Sequence, residues 1–288
     1  MELYCCNDEV VLQKITEAEA KASPTELAKL PDPSKLPQVL AAGSFDTIDL
    51  GWLKVPAVAQ LAGDVAIIKV EGALVAGNAG YKRLFGTIGY EDIKAAVVEA
   101  QQRSDVKAIL MMYNTPGGSV SSLKTTAEFL KGAQAAGKPM VGYATTAASA
   151  GYWLASSTGK IYADDMSMIG SIGTIMQVVS VKKAQANAGV EYNVFKSGKL
   201  KMAGNPNEEL SDEAKDYFQG LVDDMAAMFY ESIAAMRGKS ASELRKDFGD
   251  GRTVMGVRAL AGGLVDDLSG LQGAMKDLRR KVNAKSRS

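Results

Sequence analysis

Three short segments contain residue types that can take part in catalysis, and the first surrounds Ser149. The segment TTAASAGYWLASS, residues 145–157, places this serine among small residues directly before an apolar run. A serine at the start of a helix lies at the positive end of the helix dipole, which stabilises an alkoxide. Small neighbours would let a substrate backbone approach closely. The same serine could instead cap the helix without any catalytic role. It is not part of a G-x-S-x-G nucleophile elbow, because residue 147 is alanine.

The second segment, NTPGGSV at residues 114–120, follows a predicted strand. Gly117 and Gly118 would let backbone N–H groups point into open space, which suits an oxyanion or a phosphate. A purely structural turn would have the same composition. A nucleotide-binding P-loop is disfavoured, because no Gly-Lys-Ser/Thr follows.

The third segment, FKSGKLKMAGNP at residues 195–206, carries three lysines. A lysine can act as a general base when desolvation lowers its pKa from about 10.4 to about 7 or 8. That change costs about 4 kcal/mol, which burial in an apolar site can impose. A solvated basic turn is the alternative interpretation of this segment.

Composition excludes several function classes. The sequence has no histidine, so a Ser-His-Asp triad and histidine metal ligands are excluded. Its two cysteines, Cys5 and Cys6, are adjacent and cannot build a four-ligand zinc site. We therefore expect neither a metal nor a cofactor. The 33 basic and 33 acidic residues balance, which argues against a nucleic-acid partner.

Neither a secretory signal nor a membrane span is visible. The N-terminus has no basic stretch followed by an apolar one, and no 18 apolar residues run together. We therefore expect a soluble, cytoplasmic protein.

Residues 64–238 alternate between short apolar runs and longer amphipathic ones. This pattern predicts βαβ units, a parallel sheet and right-handed crossovers, which is an α/β fold. The predicted strands are 64–74, 106–114, 139–144, 160–165, 171–180 and 191–198. The predicted helices are 89–102, 121–137, one beginning at Ser149, 181–189 and 211–238. In the last helix the following residues recur at helical spacing and predict core or interface packing: Tyr217, Leu221, Met225, Met228 and Phe229.

The chain ends differ from this central part. Residues 23–43 contain four of the eight prolines, which predicts an extended arm or linker after a short helix at about residues 9–22. The tail 275–288 is basic and polar. We predict an N-terminal arm over 1–60, a main domain over 61–273 and a basic tail over 274–288.

Five segments, taken in order and with their spacing, resemble the signal peptide peptidase A (S49) family of serine peptidases. They are NTPGGSV, ATTAASAGYWLAS, MIGSIGTI, FKSGKLKMAGNP and GRTVMGVRALAGGLVDDL, and the resemblance covers roughly residues 64–270. It implies a ClpP/crotonase-like fold, a spiral of βαβ units with a parallel sheet and packed helices. It also implies a serine endopeptidase that works through an acyl-enzyme with a Ser-Lys dyad.

The resemblance assigns catalytic roles to three side chains. The family's nucleophile falls on Ser149, and its general base, the lysine of an S-G-x-x-K pattern, falls on Lys201. Ser171, in IGSIG, matches the serine that orients this lysine. Many relatives carry aspartate directly after the base, where this chain has Met202.

The resemblance also places an oxyanion hole. Its donors would be the backbone N–H groups of Gly118 and Ala150, with Gly117 shaping the turn. On this interpretation, the small residues around Ser149 make room for a peptide backbone and its oxyanion.

Two groups of relatives suggest partners and a location. Signal peptide peptidases cleave signal-peptide remnants, and phage head maturation proteases cut capsid and scaffold proteins inside a procapsid. The resemblance therefore implies peptide or unfolded-protein substrates, a homo-oligomeric ring and a cytoplasmic or procapsid location. Two alternatives remain: a crotonase-like acyl-CoA enzyme, and a catalytically silent assembly protein of the same fold.

Overall fold

The computed structural model describes residues 4–5, 44–45, 47–49, 54–55, 57–79, 83 and 86–285. The predicted helix at about residues 9–22 lies outside the described residues. The strands are β1 (Tyr4–Cys5), β2 (Ile48–Asp49), β3 (Lys54–Val55), β4 (Ala59–Ala62), β5 (Val65–Glu71), β6 (Ala73–Val75), β7 (Thr87–Gly89), β8 (Ala108–Thr115), β9 (Gly118–Ser119), β10 (Met140–Ala148), β11 (Ile161–Gly170) and β12 (Thr253–Met255). The α-helices are α1 (Tyr90–Gln102), α2 (Leu123–Ala136), α3 (Ala150–Ser156), α4 (Lys182–Asn187), α5 (Asp212–Arg237), α6 (Ala241–Phe248), α7 (Gly256–Ala261) and α8 (Gly270–Lys285).

The central layer of the described residues is a six-stranded sheet with the order β12-β11-β10-β8-β5-β4. Strands β5, β8, β10 and β11 pair in parallel, while β4 and β12 pair antiparallel at the two edges. Helices α1, α2 and α3 connect successive parallel strands. The predicted α/β fold with βαβ units is therefore confirmed.

Strand β8 shows why this sheet is buried on both faces. Ile109 and Met111 belong to the large core cluster, whereas Ala108 and Leu110 belong to a second cluster on the opposite face. Side chains alternate between the two faces of a strand, so a strand covered on both sides has an apolar run instead of an alternating pattern. The run AILMM in this strand follows that rule.

Helix α8 covers the second face of the sheet. Its Ala274 and Leu278 are fully buried in the smaller cluster. The predicted boundary between residues 273 and 274 thus lies within a packed helix, and the division into domains stays a prediction. No helix among the described residues is long and apolar enough to cross a bilayer.

A small second sheet departs from the predicted strand 64–74. That segment divides at Gly72 into β5 and β6, and β6 joins a sheet with the order β1-β9-β6-β7. Gly72 has a φ of +82°, and an added Cβ would lie within 2 Å of the carbonyl oxygen of Gly86. Only glycine fits this close turn between the two sheets.

The chain after β11 also differs from the prediction. We expected strands at 160–165 and 171–180, but one strand, β11, ends at Gly170. Gly170 and Ser171 both have positive φ, which turns the chain out of the sheet. The predicted strand at 191–198 is wrong as well, because the structure assigns no strand there and the segment is exposed.

Helices α4 and α5 lie close to their predicted positions. The hydroxyl of Ser211 caps α5 by accepting a hydrogen bond from the N–H of Ala214. Of the predicted packing residues on α5, Phe229 is fully buried, while Tyr217 and Met228 are exposed. The exposed residues are therefore not part of the core of one copy.

Candidate active site

Two of the three predicted site segments lie together at the carboxyl ends of neighbouring strands of the central sheet. Strands β8, β10 and β11 are neighbours, and Ala147 pairs with Thr115 while Ala148 pairs with Gly170. Because these strands are parallel, their carboxyl ends lie side by side, which is where open α/β sheets bind ligands. The glycine-rich segment, Ser149 and Ser171 each follow one of these strand ends.

Ser149 joins β10 to α3 in a strained conformation. Its φ is 53° and its ψ is −124°, values that non-glycine residues rarely adopt. Its N–H donates to the carbonyl oxygen of Gly170 at 2.7 Å, and its own carbonyl accepts from Tyr152. The residue is 2% exposed, and its hydroxyl does not cap the helix. Ser149 therefore occupies the N-cap position with its side chain left available.

The small neighbours of Ser149 have a packing role. Ala147 and Ala150 are fully buried. An added Cβ on Gly151 would lie 2.3 Å from Cγ2 of Thr115. The prediction that these residues leave room for a substrate backbone needs correction at Gly151, because this glycine lets α3 pack on the end of β8.

The glycine-rich loop is held by backbone contacts. Gly117 has a φ of 107°, its N–H donates to Oγ1 of Thr115, and its carbonyl accepts from the N–H of Leu74. An added Cβ on Gly118 would lie 2.0 Å from the carbonyl oxygen of Leu74. The loop thus has a fixed shape that requires glycine at residue 118.

Ala150 is the first residue of α3, next to the serine. The first N–H groups of a helix have no acceptor within the helix, so they can bind an anion. The carboxyl end of the sheet thus carries Gly117, Gly118 and Ala150 together with Ser149.

Ser149 and Ser171 line one cavity of about 350 Å³. The other described residues that line it are Ile172, Gly173, Thr174, Ile175, Val222, Asp223, Ala226, Tyr230, Arg245, Gly249, Asp250 and Gly251. Ser171 has a φ of 51°, and its N–H donates to the carbonyl oxygen of Arg252 at 2.9 Å. The cavity therefore combines apolar walls with two carboxylates and one guanidinium group.

Tyr230 is a cavity residue that the sequence reasoning missed. It is 4% exposed, and its hydroxyl donates to the carbonyl oxygen of Ile172 at 3.0 Å. Burial raises the pKa of Tyr230, against the opposite effect of the Arg245 guanidinium 4.9 Å from its ring. Its place next to Phe229 in an apolar stripe of α5 was the available signal, but that pattern does not reveal what a phenol oxygen contacts.

Lys201 does not line the cavity of its own copy. It lies in a 3₁₀-helix, Lys199–Met202, where it is exposed, and none of the described cavity-lining residues is a lysine. Lys196 forms an ion pair with Glu208 at 2.9 Å, and Lys199 lies 3.8 Å from Glu213. Lys201 has no such partner among the described residues.

Lys201 follows a long exposed segment, residues 175–199, which we call the arm. Within the arm several large apolar residues are exposed, and Phe195 is 95% exposed; the others are Ile175, Val179, Val181, Val190, Tyr192 and Val194. Large exposed apolar patches on a protein surface often mark contact sites for a partner. Among the described residues, no group of three or more acidic or cysteine side chains could hold a metal ion.

Comparisons with known proteins identify relatives along most of the chain. It is 29% identical over 231 residues to the head-tail preconnector protein GP5 of Enterobacteria phage P21, covering 80% of this chain and 46% of that protein. It is 28% identical to the capsid assembly protease C of Escherichia phage lambda, covering 78% of this chain and 51% of that protein. The chain thus spans about half the length of these phage relatives.

A putative protease of Synechocystis sp. is 30% identical over 71% of this chain and 69% of that protein. Among solved structures, an enoyl-CoA hydratase/isomerase family member matches 78% of this chain and 74% of that chain, with a TM-score of 0.44 and 14% identity. Residues 132–285 match the model of peptidase family S49. The chain therefore belongs to peptidase family S49.

Proposed function

We propose that this protein is a serine endopeptidase in which Ser149 is the nucleophile and Lys201 of a neighbouring copy is the general base. The observation that carries the proposal is Ser149 itself, a strained serine at a strand-to-helix junction that lines a cavity and whose hydroxyl does not cap the helix. Strain of this kind costs about 1–3 kcal/mol and is concentrated at functional sites.

The reaction proceeds through an acyl-enzyme. The Ser149 hydroxyl attacks the peptide carbonyl carbon while the lysine amine takes its proton. The N–H groups of Gly118 and Ala150 stabilise the oxyanion, and the lysine then donates the proton to the departing amine. For deacylation, the lysine amine takes a proton from water as the water oxygen attacks the ester carbon. The lysine then returns this proton to the Ser149 oxygen, which releases the second product and restores the serine. Ser171 orients the amine throughout.

Three features support a lysine from another copy. Lys201 is exposed and outside the cavity of its own chain. The arm before it exposes apolar side chains that a second copy would cover. Unlike Lys196 and Lys199, Lys201 has no ion-pair partner among the described residues.

Ile175, at the start of the arm, lines the cavity, whereas residues 176–199 do not, so a contact between those residues and the cavity of another copy is heterologous. Contacts of this type close into rings when the rotation between copies allows it. Docking of an apolar arm would also remove water from the cavity, which favours the neutral form of an amine. Only the neutral amine can take the serine proton.

For the substrate we propose extended peptide segments of unfolded or assembling proteins. The names of the phage relatives, a capsid assembly protease and a head-tail preconnector protein, favour capsid or scaffold proteins over signal-peptide remnants. A cytoplasmic or procapsid location would follow from such substrates.

The test is cleavage of an unfolded protein by Ser149→Ala and Lys201→Ala variants. Each should lose activity by about 10³-fold or more, while circular dichroism stays unchanged. Ser122→Ala is the matched control, because Ser122 also has positive φ, at 68°, but is exposed and outside the cavity. A fluorophosphonate probe should label Ser149 and no other serine.

Full activity of either variant, or a label on another serine, would refute the dyad. Turnover of an acyl-CoA thioester by both variants would favour the acyl-CoA alternative. No activity in the wild-type protein on any protein or peptide substrate would favour the silent assembly protein.

A further inference from the structure

The loop that carries Ser171 is held by three hydrogen bonds, two at its backbone and one through the side chain of Thr174. The Ser171 N–H donates to the carbonyl oxygen of Arg252 at 2.9 Å, and Oγ1 of Thr174 donates to the carbonyl oxygen of Val222 at 2.8 Å. Between them, the hydroxyl of Tyr230 donates to the carbonyl oxygen of Ile172 at 3.0 Å. Two of these three contacts come from α5.

Ser171 needs this support because its backbone is strained. A φ of 51° places Cβ close to a neighbouring carbonyl oxygen, a conformation that residues other than glycine rarely adopt. Such a conformation persists only when the surrounding structure holds it. The peptide group between Ser171 and Ile172 sets where the Ser171 side chain points, and Tyr230 holds the carbonyl one residue further on.

We propose that Tyr230 is a positioning residue that acts through Ser171, because its hydrogen bond to the Ile172 carbonyl fixes the backbone that aims the Ser171 hydroxyl. The inference rests on the proposed function, in which that hydroxyl orients the base lysine. Tyr230 touches neither the scissile bond nor the nucleophile in this role.

The surroundings of Tyr230 suit a permanent donor. Its ring is buried, Ile172 is fully buried, and the Arg245 guanidinium lies over the ring. Asp250 is the other charged group that acts on the phenol, and Asp250 is itself bonded to Arg252. A phenylalanine would keep the packing but leave a buried carbonyl without its donor.

The experiment compares Tyr230→Phe with Tyr152→Phe. Tyr152 is a matched control, because it is also buried and its hydroxyl donates to a backbone carbonyl, that of Leu264, at 2.9 Å. Both variants should lose a similar amount of thermal stability. Only Tyr230→Phe should lower kcat, by about tenfold, which corresponds to about 1.4 kcal/mol, with KM unchanged.

A double-mutant cycle distinguishes positioning from a general structural effect. If Tyr230 acts through Ser171, Tyr230→Phe should reduce kcat in the wild-type background and have no further effect in a Ser171→Ala background. It should also move the ascending limb of the pH profile in the same direction as Ser171→Ala. Equal losses in both backgrounds, or no loss in the wild type, would overturn the inference.

The cycle is interpretable separately from the dyad assignment. If Ser149→Ala is inactive while Tyr230→Phe retains full kcat, only the role of Tyr230 is refuted. If Ser149→Ala retains full activity, the proposed function itself is refuted, whatever Tyr230→Phe does.

Discussion

A lysine supplied by a neighbouring copy predicts that two inactive variants restore activity when they assemble together. Ser149→Ala keeps Lys201, and Lys201→Ala keeps Ser149. A copy of the second variant that receives the arm of the first would contain both wild-type groups at one site. Within a single chain, by contrast, neither variant has both.

The expected recovery follows from counting sites in a ring. In an equal and random mixture, about half of the copies carry wild-type Ser149, and about half of their neighbours supply wild-type Lys201. About one quarter of the sites should therefore be intact, and kcat per copy should reach about one quarter of the wild-type value. A lysine acting within its own chain predicts no recovery at all.

The assay needs mixed assemblies of known composition. The two variants are co-expressed with different affinity tags, purified through both tags, and assayed with an unfolded protein substrate. Ser149→Ala co-expressed with a Ser149→Ala/Lys201→Ala double variant is the control, because its sites all lack the serine. Native mass measurement verifies that both chains are present in each assembly.

A doubly tagged assembly that stays inactive would refute the shared site. Activity of Lys201→Ala alone would refute the shared site as well, since no base would then be missing. Replacement of the exposed Phe195 by glutamate adds a further check, because it should weaken assembly and activity together without unfolding the chain.

Three further predictions concern packing and ionisation. Gly118→Ala should lower the free energy of unfolding by about 1–3 kcal/mol and lower activity, because its Cβ would lie 2.0 Å from a backbone oxygen. Gly132→Ala is the control: it lies in open space within α2 and should raise the free energy of unfolding by about 1 kcal/mol, measured by urea unfolding. Gly151→Ala should destabilise the protein, and Thr115→Ser should restore part of the loss by removing the methyl group 2.3 Å away, as measured by a double-mutant cycle. Burial and a neighbouring carboxylate raise the pKa of Tyr143 to about 12. The stability that this raised pKa contributes is therefore complete below about pH 10 and is lost as the pH rises through 12. The urea midpoint of the wild-type protein should fall over that range, and that of Tyr143→Phe should fall less steeply.

Much of the fold could be predicted from local patterns. Strand β8 and helices α1, α2 and α5 lie close to their predicted positions, because apolar periodicity over 8 to 26 residues reports which faces are buried. The same kind of local pattern gave a wrong prediction at 191–198. Its alternating apolar residues fit a strand, but pairing needs a neighbouring strand, which the described residues do not provide.

Some residues of the candidate site could be predicted from the sequence and others could not. The resemblance to the S49 family grouped the glycine-rich segment, Ser149 and Ser171 in one site, although Ser171 was expected to begin a strand and instead follows β11. Their catalytic roles stay predictions. Tyr230 could not be identified, because its contact with Ile172 joins residues 58 positions apart.

The sequence by itself determined the chemistry that is available: without histidine, a serine nucleophile must use another base, and lysines follow the predicted strands. Only the tertiary structure decided which groups meet. Adjacent parallel strands bring Ser149 and Ser171 to one cavity, while Lys201 is exposed and does not line it. The physical reason is that the pattern of apolar residues in the sequence indicates which side chains must be buried against other residues. Strand order and backbone turns determine whether those other residues lie in the same chain.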